Sequence, residues 1–336
     1  MPDLNFLMLI FVVILAISFD FINGFHDTAN AIATSVATRV LPIKWAILMA
    51  AGLNFLGALM SEKVAKTISK GIVNDVKLSL AVVAAALLAA IIWNLITWYF
   101  GIPSSSSHAL IGGLIGASIM HAFSFDVVSW NTVLIKVILP LLASPLVGYF
   151  AGLLVMTILY KLLKNATNKG VNKFFSKFQI VSAAFMAYSH GNNDAQKSMG
   201  IIALALLISG QMGPNDSIPA WVKLSCALAM ALGTSIGGWK IIKTMGVNMI
   251  KLQPIGGFAA ETSAALVIET ASAFGMPVST TQVITTSIMG VGSSKRLSAV
   301  RWSLARNIVW AWVLTIPLTM LIGALITSIF AFFKLT

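Results

Sequence analysis

The sequence predicts an all-α polytopic membrane protein: two inverted-topology repeats of about five crossings each, with broken helices and re-entrant half-helix hairpins meeting at the bilayer midplane. Three observations lead there. Of 336 residues, 58% are hydrophobic and only 10% charged, with a mean hydropathy of +0.92, whereas a soluble domain carries about 25% charged residues. Many apolar runs reach the ~18 residues needed to cross the hydrocarbon layer. Finally, short polar motifs interrupt these runs, and each motif occurs twice.

Composition also excludes several classes. The formal net charge of +12 would point to nucleic acid in a soluble protein. In a membrane protein it reflects basic cytoplasmic loops, so the bilayer is the expected partner and nucleic acid is not. The one cysteine, Cys226, lies in an apolar run, which rules out structural disulfides and thiolate metal sites. The first apolar run lacks a basic leading segment and an A-x-A cleavage site, so it reads as a retained helix rather than a signal peptide.

Ten crossings account for the apolar pattern: 4–38 (too long for one straight helix, hence broken), 45–60, 79–100, 104–121, 131–160, 178–209, 219–239, 255–274, 277–292 and 307–333. The most basic stretch, KLLKNATNKGVNKFFSKF at 161–178, divides the chain almost in half and belongs in the cytoplasm. The units are therefore a first repeat at 1–160, a basic cytoplasmic loop at 161–178 and a second repeat at 179–336. Basic segments near 243–251 and 293–306 share the cytoplasmic side. MPDLN at the N-terminus, 121–130 and 210–218 lack Lys and Arg and fit outside, which puts both termini outside a cell membrane. The segment 61–77 is basic yet falls outside; a helix lying in the interface with snorkelling lysines accommodates it.

The repeat is legible directly. NGFHDTANAIA at 23–33 aligns with HGNNDAQKSMG at 190–200, placing Asp27 on Asp194 and Asn30 on Lys197. GIPSSSSHALIGGLIG at 101–116 aligns with GMPVSTTQVITTSIMG at 275–290, placing Pro103 on Pro277 and His108 on Gln282. An odd number of crossings per half inverts the second half relative to the first. Inverted repeats with interrupted helices are a transporter signature, with binding at the midplane.

The motifs carry specific chemistry. Proline suits a helix start and serine caps it, so each proline motif predicts a half-helix whose free N–H groups and dipole favour an anion. Ser104, Ser105, Ser106 and Ser107, with Ser279, Thr280 and Thr281 opposite and Asn193 beside them, would supply donors to a small oxyanion. Asp27 and Asp194 repel an anion and so imply a cation: Na⁺, a transferred proton or a hard divalent metal bound at Asp27 and Asp194. Asn30, Lys197 and Glu261 join them as coupling-ion or ion-pair residues, with Lys197 paired to Asp194. Asn23, His108 and Gln282 are supporting candidates. Glu269 and the histidines His26 and His190 adjoin the same motifs.

At these four motifs the chain resembles the inorganic phosphate transporter family, and LNFLGAL at 53–59 further resembles its bacterial low-affinity branch. The resemblance implies secondary transport of inorganic phosphate, inward and driven by a cation gradient, with no enzymatic activity and no cofactor. H⁺ is the favoured coupling ion, phosphate travelling alone or as a divalent-metal complex; Na⁺ is the alternative. Two departures from the family pattern disfavour sodium: Lys197 stands where Asn30 has its repeat partner, and Asn54 stands where some members carry an acid. A homodimer is an open alternative. Rival readings are a sulfate permease, a passive anion channel and an intramembrane hydrolase using a serine with His108. The paired carboxylates disfavour the channel, and the absence of histidine from PVSTTQ disfavours the hydrolase.

Overall fold

The computed structural model describes residues 4–71 and 78–334. The MPD terminus and the 72–77 part of the basic segment at 61–77 therefore lie outside the described residues. In chain order the helices are α1 (Leu4–Ala37), α2 (Ile43–Ala58), α3 (Lys63–Gly71), α4 (Leu80–Phe100), α5 (Ser106–Ala122), α6 (Trp130–Thr132), α7 (Leu139–Leu162), α8 (Asn168–Ile208), α9 (Ala220–Ile236), α10 (Trp239–Ile242), α11 (Pro254–Ala273), α12 (Thr280–Lys295) and α13 (Trp302–Phe332). No strand occurs among the described residues.

Four helical stretches are long and apolar enough to cross a membrane by themselves: those at α1, α4, α7 and α13. The bent pairs α2–α3 (66°) and α9–α10 (69°) bring the number to six if each is one span. Three of the four polar motifs lie on or at the start of α5, α8 and α12, and the fourth, NGFHDTANAIA, lies on α1. α5 packs between α4 and α13, and α12 between α7 and α11. On α13 the opposite face presents Leu321, Leu325 and Ile329 outward, the one-sided stripe of a helix bordered by lipid.

Two expectations are corrected here. First, α1 is one uninterrupted helix of 34 residues, not a broken one. Gly24 does not break it, because the Thr28 hydroxyl bonds back to the Gly24 carbonyl at 2.7 Å and α9 packs against the bare backbone there. HGNND likewise lies inside the unbroken 41-residue α8. Second, only 163–167 of the 161–178 stretch lies between helices, its start belonging to α7. Thr167 caps α8 by accepting from Gly170 N, and the basic residues beyond it belong to that helix. α3 is a helix, and one face of it is held by the protein. Val64, Ala65 and Ile68 are buried where α3 packs on α8, and Gln196 Oε1 accepts from Val64 N at 2.9 Å.

The real interruptions are at the prolines. Gly101, ending α4, has φ 67°, and Gly275, after α11, has φ 69°; this left-handed conformation suits glycine because it has no Cβ. Each chain then turns through its proline into a new helix. The helices start at Ser106 and Thr280, so Pro103 and Pro277 precede the caps rather than occupying the first helical position as expected. Ser105 and Ser279 are the caps, accepting from His108 N at 3.2 Å and Gln282 N at 3.3 Å. α4–α5 and α11–α12 are thus matching hairpins with a polar turn buried inside the molecule.

Candidate functional site

Both hairpin turns face α1 and α8, which run antiparallel: Asn23 on α1 donates to Asp194 on α8 at 3.4 Å, while Thr38 donates to Gln179 at 2.8 Å. One face of α1 presents Asp20, Asn23, Asp27, Asn30 and Thr34, all buried. Their spacing of three and four residues keeps them in one stripe about 21 Å long. α8 answers with Gln179, Ser182, His190, Asp194, Lys197 and Ser198, also buried.

At the centre the same bond is made twice. Ser106 Oγ lies 3.0 Å from Asp27 Oδ2 and 2.5 Å from Asn23 Oδ1, sharing one proton between two acceptors. In the other half Thr280 Oγ1 donates to Asp194 Oδ2 at 3.2 Å. The hydroxyl one residue into each hairpin helix therefore meets the aspartate of its own half. Cross-links between halves tie these pairs together. Asn30 Nδ2 donates to Thr281 at 2.9 Å and to Thr280 at 3.3 Å. Ser107 donates to the Val278 carbonyl at 3.1 Å. His108 and Gln282, which occupy equivalent places in the repeat, face each other with Nδ1 and Nε2 3.3 Å apart.

The charges are paired unequally. Lys197 Nζ lies 2.6 Å from Asp194 Oδ1 and donates to the Val278 carbonyl at 3.1 Å. His26 Nδ1 lies 2.6 Å from Asp27 Oδ1, and its Nε2 is 3.0 Å from Thr97 Oγ1. Donor atoms of Asp27, His190 and Asp194 all lie within 4.8 Å of one another, a spacing at which two carboxylates and an imidazole can share one cation. His190 Nε2 approaches Asp194 to 3.6 Å.

Three predicted residues stand apart. Ser104 donates to Thr97 at 3.3 Å, beside His26. Asn193 turns away, its Nδ2 donating to Ser272 at 2.8 Å. Glu261 is a turn further along α1, where Thr34, Ser182 and Gln179 donate to its carboxylate, the last at 3.2 Å. Glu269 accepts from Asn192. The sequence reading overlooked Thr97, Gln179, Ser182 and Asp20. The first three are single polar residues in apolar runs with no motif around them. Asp20 carried the signal of an acid in a membrane helix.

Fold and site together define a multi-pass, all-helical membrane protein with an internal cluster of hydroxyls and carboxylates. The chain belongs to the Phosphate transporter family, matched over residues 23–170 and 163–323, a family of transporters rather than enzymes. It is 48% identical over 96% of its length, and 97% of the relative's, to a Bacillus subtilis protein named "Probable low-affinity inorganic phosphate transporter". A Rhizobium meliloti protein of the same name is 46% identical, with 96% of each chain covered. A solved structure titled "The sodium-dependent phosphate transporter" superposes with a TM-score of 0.86 at 26% identity, covering 97% of this chain and 99% of that one.

Proposed function

We propose that the protein is a symporter that imports inorganic phosphate across the cell membrane, coupled to protons. The observation that carries this reading is the repeated pair, Ser106 with Asp27 and Thr280 with Asp194. A phosphate ion at neutral pH both accepts and donates hydrogen bonds. Hydroxyls at Ser105, Ser106, Ser107, Ser279, Thr280 and Thr281 serve its oxygens, and Ser104 joins them only by leaving Thr97. The carboxylates accept from its P–OH, which sulfate lacks, so the pairing favours phosphate over sulfate. Asn193 enters this set only by turning from Ser272. The matched caps, hairpins and hydroxyl–aspartate pairs, with α1 antiparallel to α8, support two inverted repeats at 1–160 and 179–336.

The coupling ion follows from the cations already in place. Lys197, bonded to Asp194, is a fixed positive charge where the first half has Asn30, so it stands in for one bound ion. Asp27, His190 and Asp194 offer an imidazole beside two carboxylates. Imidazole is a poor partner for Na⁺ but takes a proton or a divalent metal, which also suits phosphate entering as a metal complex. The sodium-dependent title of the structural relative keeps Na⁺ coupling as the second reading.

The test is uptake of labelled phosphate into proteoliposomes with proton and sodium gradients imposed separately, for the wild type and Lys197→Asn. The expected result is accumulation driven by the proton gradient alone, and a sodium requirement that appears only in Lys197→Asn. Strict sodium dependence, unchanged in the variant, is incompatible with proton coupling and with a lysine that replaces an ion.

A further inference from the structure

Of the buried carboxylates on the polar seam, Asp20 is bonded differently from the rest. Asp27, Asp194 and Glu261 each accept from side-chain donors. Asp20 is 0% exposed, and neither of its oxygens accepts a hydrogen bond from any described residue. Ser198 on α8 and Cys226 on α9 are the side chains placed to turn a donor toward it, and the Ser198 hydroxyl has no other partner among the described residues. Asp194 and Lys197 of α8 face it from further off, but Lys197 is already held 2.6 Å from Asp194. α4 carries no charged residue and α2 only Lys44, in its first turn, while Lys223 of α9 is bonded to Glu62. On its own helix Asp27 lies about two turns away.

A buried carboxylate is costly to keep ionised without a counter-cation beside it, and a proton on the carboxyl removes that cost. Asp194 has Lys197 and Asp27 has His26; Asp20 has neither. In the repeat Asp20 aligns with Ala187, so the acid is present in one half only, while the hydroxyl–aspartate pairs occur in both. The anion cradle is symmetric and this acid is not, so it is not a component of that cradle. It sits at the opposite end of the α1 stripe from Thr34, the residue that meets Glu261, with the cradle between.

We propose that Asp20 is the carboxyl that carries the coupling proton. It holds the proton on a carboxyl oxygen while the anion is bound, so that the incoming negative charge meets no uncompensated carboxylate on this side. It takes up the proton from the outer side, with Ser198 and Cys226 as the flanking polar groups along the entry, and releases it to water when the protein opens to the cytoplasm. This rests on the proton-coupled reading above.

The experiment compares wild type, Asp20→Asn and Asp20→Glu in proteoliposomes. It measures uptake of labelled inorganic phosphate under a pH gradient, phosphate-evoked acidification of the lumen, and phosphate–phosphate exchange at equal pH. Asn mimics the neutral acid in shape, so Asp20→Asn should fold and keep exchange while losing both gradient-driven accumulation and acidification. Asp20→Glu should recover both, with a displaced dependence on external pH. Wild-type accumulation and acidification by Asp20→Asn would overturn the assignment. So would failure of Asp20→Asn to reach the membrane as a monodisperse protein, since that would mark the carboxyl as charged and structural. A wild type that neither accumulates phosphate under a pH gradient nor acidifies the lumen would sink proton coupling itself, an outcome read before any variant is compared.

Discussion

Ser106 has one hydroxyl proton and two acceptors, Asn23 and Asp27, at 2.5 and 3.0 Å. Thr280 likewise stands between an Asn30 donor and Asp194. These side chains are already hydrogen-bonded within the protein, so an entering phosphate exchanges partners rather than filling vacancies. Each lost hydroxyl should weaken apparent phosphate affinity about fivefold, the equivalent of roughly 1 kcal/mol per hydrogen bond. Ser106→Ala and Thr280→Ala test this by the phosphate concentration at half-maximal uptake, with Ser144→Ala on α7 as a control. Unchanged affinity in both site variants would remove these hydroxyls from the binding centre. This part of the site was legible because serine and threonine clusters after proline are improbable in apolar sequence and recur at matched positions. Gln179 and Ser182, which embrace Glu261, were not legible. They align with Val12 and Leu15 in the other half, so repetition could not flag them, and one polar residue in an apolar helix is usually bonded to its own backbone.

At the scale of elements, close helix approach positions the polar seam. α1 and α9 cross with glycine against glycine. A Cβ on Gly233 would run into the Phe21 carbonyl and lie 3.1 Å from the Gly24 Cα, and a Cβ on Gly24 would lie 3.0 Å from the Gly233 Cα. Small residues let membrane helices pack backbone to backbone, and they have no flexible side chain to yield. Gly24→Ala or Gly233→Ala should therefore push α9 off α1 and disturb the stripe, whose Asn23 is the residue next to Gly24. The expected outcome is a lower unfolding temperature in detergent together with reduced uptake. Gly52→Ala, where a Cβ meets nothing within 4 Å, should leave both unchanged; if all three behave alike, the crossing is not what holds the seam. Sequence reasoning found the hairpin turns, where proline and serine act locally. It misjudged α1, because length alone seemed to demand a break, whereas a continuous hydrogen-bond ladder tolerates Asn23, Gly24 and Asp27 when neighbouring helices satisfy their side chains.

At the scale of the molecule, the proposed inversion has a consequence for which surfaces face which side. If each half crosses an odd number of times, loops at equivalent places in the two halves lie on opposite faces. The charge distribution chooses the absolute direction. The turn near Asn165 is flanked by Lys161, Lys164 and Lys169, and the turn near Ser298 by Lys295, Arg296 and Arg301. Lysine and arginine near span ends are retained on the cytoplasmic side. The turns at Asp126 and Asn215 hold no lysine or arginine. All four positions are exposed, and the sole cysteine, Cys226, is buried, so a Cys226→Ser background allows single reporters. Cysteines placed at 126 and 215 should react with a membrane-impermeant maleimide added to intact cells, and cysteines at 165 and 298 only after the membrane is opened. Labelling of 165 from outside would reverse the proposed orientation. Labelling of 126 and 215 from opposite sides would break the five-and-five count on which the inverted arrangement rests. Either result would leave the central hydroxyl–aspartate geometry untouched, because those bonds are set by α1, α5, α8 and α12 and not by the side from which phosphate arrives.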